Sequence, residues 1–400
     1  MRVVRKILLI AVPAAVVALV LMALAVEAWV RMSWDDRRGT PGFLVSHPTR
    51  GQRLGINYDG WFAGVPAKTN ALGFRSTRAD TVEKGPSTFR ILLLGDSVTF
   101  GHGAVHDYPS LLESELKKWR GDVDWQVWNL GVPGYNTSQE LTYLREVGPR
   151  FAPDLVIVGF YINDIIGNAP APSPSIARRL GSRVLASLQE HWYSTEFYKR
   201  VALTAAWRMS GSESFRRRFD NLESEEKMSA RLGELEAARE QAITPFDRFS
   251  EEQVSAMKCV GGMPPSAKDL AELQSQPDWP AFVESVRAFQ AIGRAGEYRI
   301  VFFLNLVPPV CPDGDYFYDG KSIEHDYFLK LFSGDGTPTV SAYPAFLRVR
   351  PSQMPRAEAH AIGNANQLKA EALFAYLRDA LVEEPVLRSL GEGGIRPVGR

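Results

Sequence analysis

Four hundred residues exceed what one compact core uses, so a single domain here must carry an insertion or appendages. Acidic and basic side chains balance at 46 each, and a net charge of zero gives no support to a nucleic-acid partner. A hydrophobic content of 45% excludes a largely disordered chain.

Ile7 to Val26 is an unbroken apolar run, long enough to cross a bilayer as a helix. Arg2, Arg5 and Lys6 precede it, which favours a cytoplasmic N-terminus. Residues 1–30 are therefore read as a single membrane anchor, because the run is long for the apolar core of a signal peptide. Cleavage near Ala25, after Ala23-Leu24-Ala25, is the alternative and yields a secreted chain. Either way the remaining chain lies outside the cytoplasm, with Trp29 and Trp34 suited to the outer interface.

Residues 31–87 are rich in Gly, Pro, Arg and Asp and read as a linker plus irregular structure. Within them, Asn70-Ala71-Leu72-Gly73-Phe74-Arg75 carries a turn signal, with Phe74 expected to pack on the main domain. The main domain is placed at 88–385. Arg90–Leu94 is a buried strand, Tyr108–Trp119 a helix, Trp125–Leu130 a second strand, Ser138–Val147 a helix and Asp154–Phe160 a third strand. Strand and helix alternate through short loops, which predicts βαβ units and a parallel sheet.

The pattern breaks at Asn168. Residues 169–279 form an insertion, helical and charged from Ser175 to about Ala242, which predicts a lid or a membrane-facing cap. In it, Met228, Leu232 and Leu235 make a packing stripe, and Arg216-Arg217-Arg218 is a solvated helix face. The sheet resumes with a helix from about Trp279 to Ala295 and a strand over Arg299–Asn305. A long loop then runs through Asp313, Asp315 and the His325 region to a last helix, Asn364–Leu381, and a flexible tail at 386–400. The only two cysteines, Cys259 and Cys311, have no zinc-site spacing; they are a disulfide pair or two buried thiols.

Three strand ends carry chemistry. Gly95-Asp96-Ser97 closes the first strand, placing a serine hydroxyl at the sheet edge and at a helix start. A serine there is a helix cap or a nucleophile, and a nucleophile needs a base and donors for the oxyanion it creates. Gly131-Val132-Pro133-Gly134 follows the second strand, where glycine lets backbone N–H groups approach a ligand. Asn163-Asp164 follows the third, offering a side-chain amide. Of six histidines, His360 sits before the final helix, in a loop expected to open at the same edge, and is the favoured base. His325 is held in reserve, and His102 and His106 follow Ser97 so closely that geometry should turn them away.

These four blocks resemble the SGNH (GDSL-type) hydrolase superfamily, over roughly residues 88–168 and 280–382. A segment similar to Asn70–Arg75 often precedes the first block in membrane-anchored bacterial members. The resemblance implies a three-layer α/β/α, flavodoxin-like fold with a parallel sheet. It also implies Ser97 as nucleophile, Gly134 and Asn163 as oxyanion donors beside the Ser97 N–H, and His360 as general base. The family usually has Asp three residues before its histidine; Ala357 stands there, with Glu358 one residue nearer. Asp96 suits a structural role in its turn better than that of orienter.

The resulting expectation is an extracytoplasmic serine ester hydrolase acting through an acyl-enzyme, with no metal or organic cofactor. Its substrate would be a small-molecule, glycan or lipid ester. Transfer of the acyl group to a sugar hydroxyl of a cell-envelope polymer is the alternative chemistry, and a non-catalytic binding or scaffold protein the alternative class.

Overall fold

The computed structural model describes residues 2–76, 81–168, 174–209, 233, 246–257, 267–312, 314–317, 323–357 and 360–382. Arg216–Arg218, Met228, Leu232, Leu235, Cys259, Glu358 and the 386–400 tail lie outside them. Cys311 is buried and disulfide-bonded, and the sequence holds one other cysteine, Cys259.

Helix α1 spans Arg2–Ser33, and its part from Ala11 to Ser33 is long and apolar enough to cross a membrane. Two antiparallel hairpins follow: β1 (Leu44–His47) with β2 (Gly51–Leu54), and β3 (Asp59–Phe62) with β4 (Val65–Lys68). This stretch reads as irregular in the sequence because four-residue strands are too short to display a two-residue period. Tertiary packing holds them instead. Phe43 stacks on Phe62 at 3.9 Å and meets Phe100 edge-on at 5.1 Å.

The main sheet begins with β5 (Thr88–Gly95), then α2 (Ser97–Phe100), α3 (Tyr108–Trp119), β6 (Asp124–Gly131), α4 (Thr137–Phe151) and β7 (Leu155–Phe160). Helices α5 (Ile176–His191) and α6 (Tyr193–Met209) form the described part of the insertion's first half. The sheet resumes with α7 (Trp279–Arg294), β8 (Ile300–Leu304), α8 (Ile323–Ser333) and β9 (Thr339–Ser341). A two-residue ribbon, β10 (Arg356–Ala357) and β11 (His360–Ala361), then leads into α9 (Asn364–Leu381). The region around His325, expected as a loop, thus holds a helix and a strand. Phe328 and Phe332, one helical turn apart, are fully buried and hold α8 against the sheet.

The five strands run parallel in the order β6-β5-β7-β8-β9, the flavodoxin-like order expected. Strand residues alternate between two cores. Leu92, Leu94, Val156, Val158 and Phe302 pack with α4, α7 and α8 residues such as Leu144, Phe289 and Phe328. Ile91, Leu93, Ile157, Val301 and Phe303 pack with α3 and α9 residues such as Leu112, Leu116 and Leu373. Burial on both faces explains why these strands read as continuous apolar runs. In the middle strand, Ile157→Ala should cost about 2–5 kcal/mol of stability, read as a lower urea midpoint with an unchanged slope.

Candidate active site

Strand β5 stops at Gly95 because the chain must turn under its neighbours: a Cβ there would lie 2.0 Å from Thr99 Oγ1. Asp96 then caps α2, its Oδ1 accepting the Val98 N–H at 2.8 Å. This places Ser97, itself buried, at the first position of a four-residue helix. Its Oγ lies 2.8 Å from His360 Nε2 and 3.3 Å from Asp96 Oδ2. The histidine arrives from the other end of the chain on β11, facing Ala357 across the ribbon.

Gly95 pairs with Gly131, so the loop after β6 leaves the same sheet edge as Ser97. In that loop Gly134 adopts φ +80, a region open to glycine, and Gln52 of β2 steadies the turn by donating to Pro133 O at 2.7 Å. Asn163 follows β7, on the opposite side of β5. Its Nδ2 donates to Asp96 Oδ2 at 3.0 Å. The edge between β5 and β7 is where the strand order reverses, the usual ligand crevice of such sheets.

Ser97, His360 and Asn163 are thus joined in one hydrogen-bonded chain through Asp96, and Gly134 stands on the adjoining loop. His325 is engaged elsewhere, with its Nε2 2.8 Å from Ser341 Oγ and its ring stacked on Tyr343. His102 departs from expectation. Gly101 takes a left-handed conformation, the His102 N–H donates back to Ser97 O at 2.9 Å, and its ring stacks on His360 with centroids 4.3 Å apart. The close sequence spacing therefore turns this ring toward the site, not away.

The Asn70–Arg75 turn also gains a role. Asn70 Oδ1 accepts the N–H groups of Leu72 and Phe74, and Phe74 packs on Trp128 at 5.3 Å. Arg75 pairs with Asp107 at 3.1 Å and donates to the carbonyls of Phe100, Gly101 and Ala104. The turn pins the loop that carries His102.

Several buried ionisable groups surround these residues. Lys369 of α9 is nearly inaccessible; burial lowers its pKa to about 8, against the opposing pull of Asp96. It lines a cavity of about 310 Å³ with Val98, Tyr161, Asn305, Pro308 and His360. Asp96, Glu140 and Asp164 are wholly inaccessible, and burial raises all three carboxyls, the last two well above their ordinary range. Asp164 Oδ2 accepts the Tyr161 N–H at 2.7 Å, whereas neither oxygen of Glu140 has a hydrogen-bond partner among the described residues. Nothing in the local sequence signals these groups; only the assembled layers bury them. Among the described residues, no set of three His, Cys, Asp or Glu is placed to hold a metal ion.

Glu140 has a pH consequence. Its folded pKa lies above the ordinary 4.5, so the folded state binds more protons than the unfolded one between those values. Stability therefore falls as pH rises from about 4.5 through the folded pKa. Glu140→Gln removes this titrating group, so the melting temperature of the variant minus that of the parent should grow more positive from pH 4.5 to pH 8, as read by calorimetry at each pH.

Residues 93–238 match the GDSL-like Lipase/Acylhydrolase family, a span that holds Ser97, Gly134 and Asn163 and ends before His360. No curated protein matches the chain. Solved structures similar to it include a catalytic mutant of an acetylxylan esterase from Geobacillus stearothermophilus, at 12% identity and TM-score 0.35, covering 73% of this chain and 93% of that one. Another is a GDSL-like lipase from Bacteroides thetaiotaomicron, at 12% identity and TM-score 0.33, covering 76% of this chain and 94% of that one. Residues 93–238 are thus a segment of the GDSL-like Lipase/Acylhydrolase type, set in a parallel sheet of flavodoxin-like order, and mark an ester-cleaving hydrolase.

Proposed function

We propose that this protein hydrolyses an ester through an acyl-enzyme on Ser97, in a domain held outside the cytoplasm by α1. The observation that carries the reading is the 2.8 Å contact between Ser97 Oγ and His360 Nε2. A neutral imidazole at that distance takes the hydroxyl proton as Oγ attacks the ester carbonyl. The developing oxyanion is held by the N–H groups of Ser97 and Gly134 and by Asn163. Asn163 gives one Nδ2 hydrogen to Asp96 and keeps the second for the substrate. His360 then returns its proton to the leaving alcohol oxygen, and water, deprotonated by the same nitrogen, releases the acid. The stacked His102 ring limits the rotation of His360. Ala357 stands where the family usually has its Asp, and it supplies no carboxylate. The substrate class is a small-molecule, glycan or lipid ester.

Steady-state hydrolysis of p-nitrophenyl acetate tests the assignment. Ser97→Ala and His360→Ala should each lower kcat by about a thousandfold or more; full turnover by Ser97→Ala would sink it. Asn163→Ala should lower kcat by roughly a hundredfold or more with little change in KM, because its second hydrogen is used in the transition state.

A further inference from the structure

Helix α5 is turned inside out. Ile176, Leu180, Val184 and Leu188 recur every four residues and share one face, yet they are 79, 56, 63 and 40% exposed. The buried residue of the helix is Ala186, and two polar side chains, Gln189 and Glu190, reach the domain. Gln189 Oε1 accepts the Ser46 N–H at 2.7 Å, and Glu190 pairs with Arg53 at 3.2 Å. An amphipathic helix docked on a globular core presents the opposite arrangement.

The end of this helix is fastened to α1. Arg31 donates to His191 O at 2.9 Å and lies 4.7 Å over the Tyr193 ring. Glu27 accepts the N–H groups of Tyr193 and Ser194 at 3.0 and 2.9 Å, capping α6, and Trp29 meets Phe197 edge-on at 5.7 Å. Glu27 and Arg31 belong to the last turns of the apolar stretch Ala11–Ser33, so the α5–α6 hairpin joins the molecule where that stretch ends. Arg178, Arg179 and Arg183 are exposed, and Arg178 and Arg183 flank the apolar face of α5 on either side.

We propose that the apolar face of α5 lies in the interface of the same bilayer that α1 crosses, with its three arginines in an anionic headgroup layer. The inference rests on the reading of α1 as a membrane span. Apolar side chains on one face with arginines at its edges fit the boundary between acyl chains and headgroups, where the long arginine stems reach outward. A single span leaves a domain free to tilt; this second contact fixes the height and orientation of the Ser97 cleft above the membrane.

The test uses the full-length chain in vesicles of phosphatidylethanolamine and phosphatidylglycerol. A fluorophore is attached at Leu180→Cys or, as a control, at Lys117→Cys on the exposed side of α3. The label at 180 should be quenched by spin-labelled lipid and shielded from aqueous iodide, and the label at 117 should show the reverse. Quenching of position 180 by iodide alone, or protection from both quenchers by a second copy or another segment of this chain, would overturn the proposal. Alkaline carbonate separates the two readings. A chain stripped from the vesicles overturns the span and the docking together. A chain that stays while position 180 remains open to iodide overturns the docking alone.

Discussion

A buried carboxylate must be met by donors or give up its charge, and Asp96 is the group on which this site turns. It is wholly inaccessible, burial pushes its pKa upward, and the Asn163 amide, the Val98 N–H, Ser97 and the charge of Lys369 pull the other way. Meeting that requirement has structural consequences. The Val98 bond starts α2 and so orients Ser97; the Asn163 bond draws the loop after β7 against the loop after β5. Ser97 and Asn163, the proposed nucleophile and oxyanion donor, are therefore positioned by one shared acceptor.

The acidic surroundings sharpen the point. Burial first, and then the charge of Asp96, pushes the Glu140 and Asp164 carboxyls well above their ordinary range. Lys369 is the buried cation beside Asp96, and it enters from α9, the helix that directly follows the His360 ribbon. Charge balance under the site thus draws on the first, second, third and last segments of the fold. The parallel register makes this economical, because Gly95 and Gly131 end their strands side by side.

Much of this was legible in the sequence, for identifiable reasons. Buried parallel strands show as apolar runs, so β5, β6, β7 and β8 and their order of use were readable, as were the loops carrying Ser97, Gly134 and Asn163. His360 is favoured by its place before the last helix, and its Nε2 lies 2.8 Å from Ser97 Oγ. What was not readable depends on contacts between distant segments. The β1–β4 hairpins and β9 are too short for a pattern, and α8 is held by Phe328 and Phe332 against the sheet more than by local signals. His102 was misplaced because one left-handed residue, Gly101, reverses the chain within a few residues. The buried ionisable side chains of Glu140 and Lys369 look in the sequence like ordinary helix-surface residues.

The domain is joined to α1 by more than the chain itself, since Glu27 and Arg31 bind the start of α6 and the end of α5. The hairpin that docks on the domain and the apolar stretch are therefore parts of one mechanical unit. Whether Ser97 is its nucleophile is tested most directly by treating the full-length protein with a fluorophosphonate probe and mapping the adduct by peptide mass spectrometry. A single adduct on the peptide bearing Ser97, lost when His360 is replaced, is the predicted result. An absent adduct, or one on another residue, would contradict it.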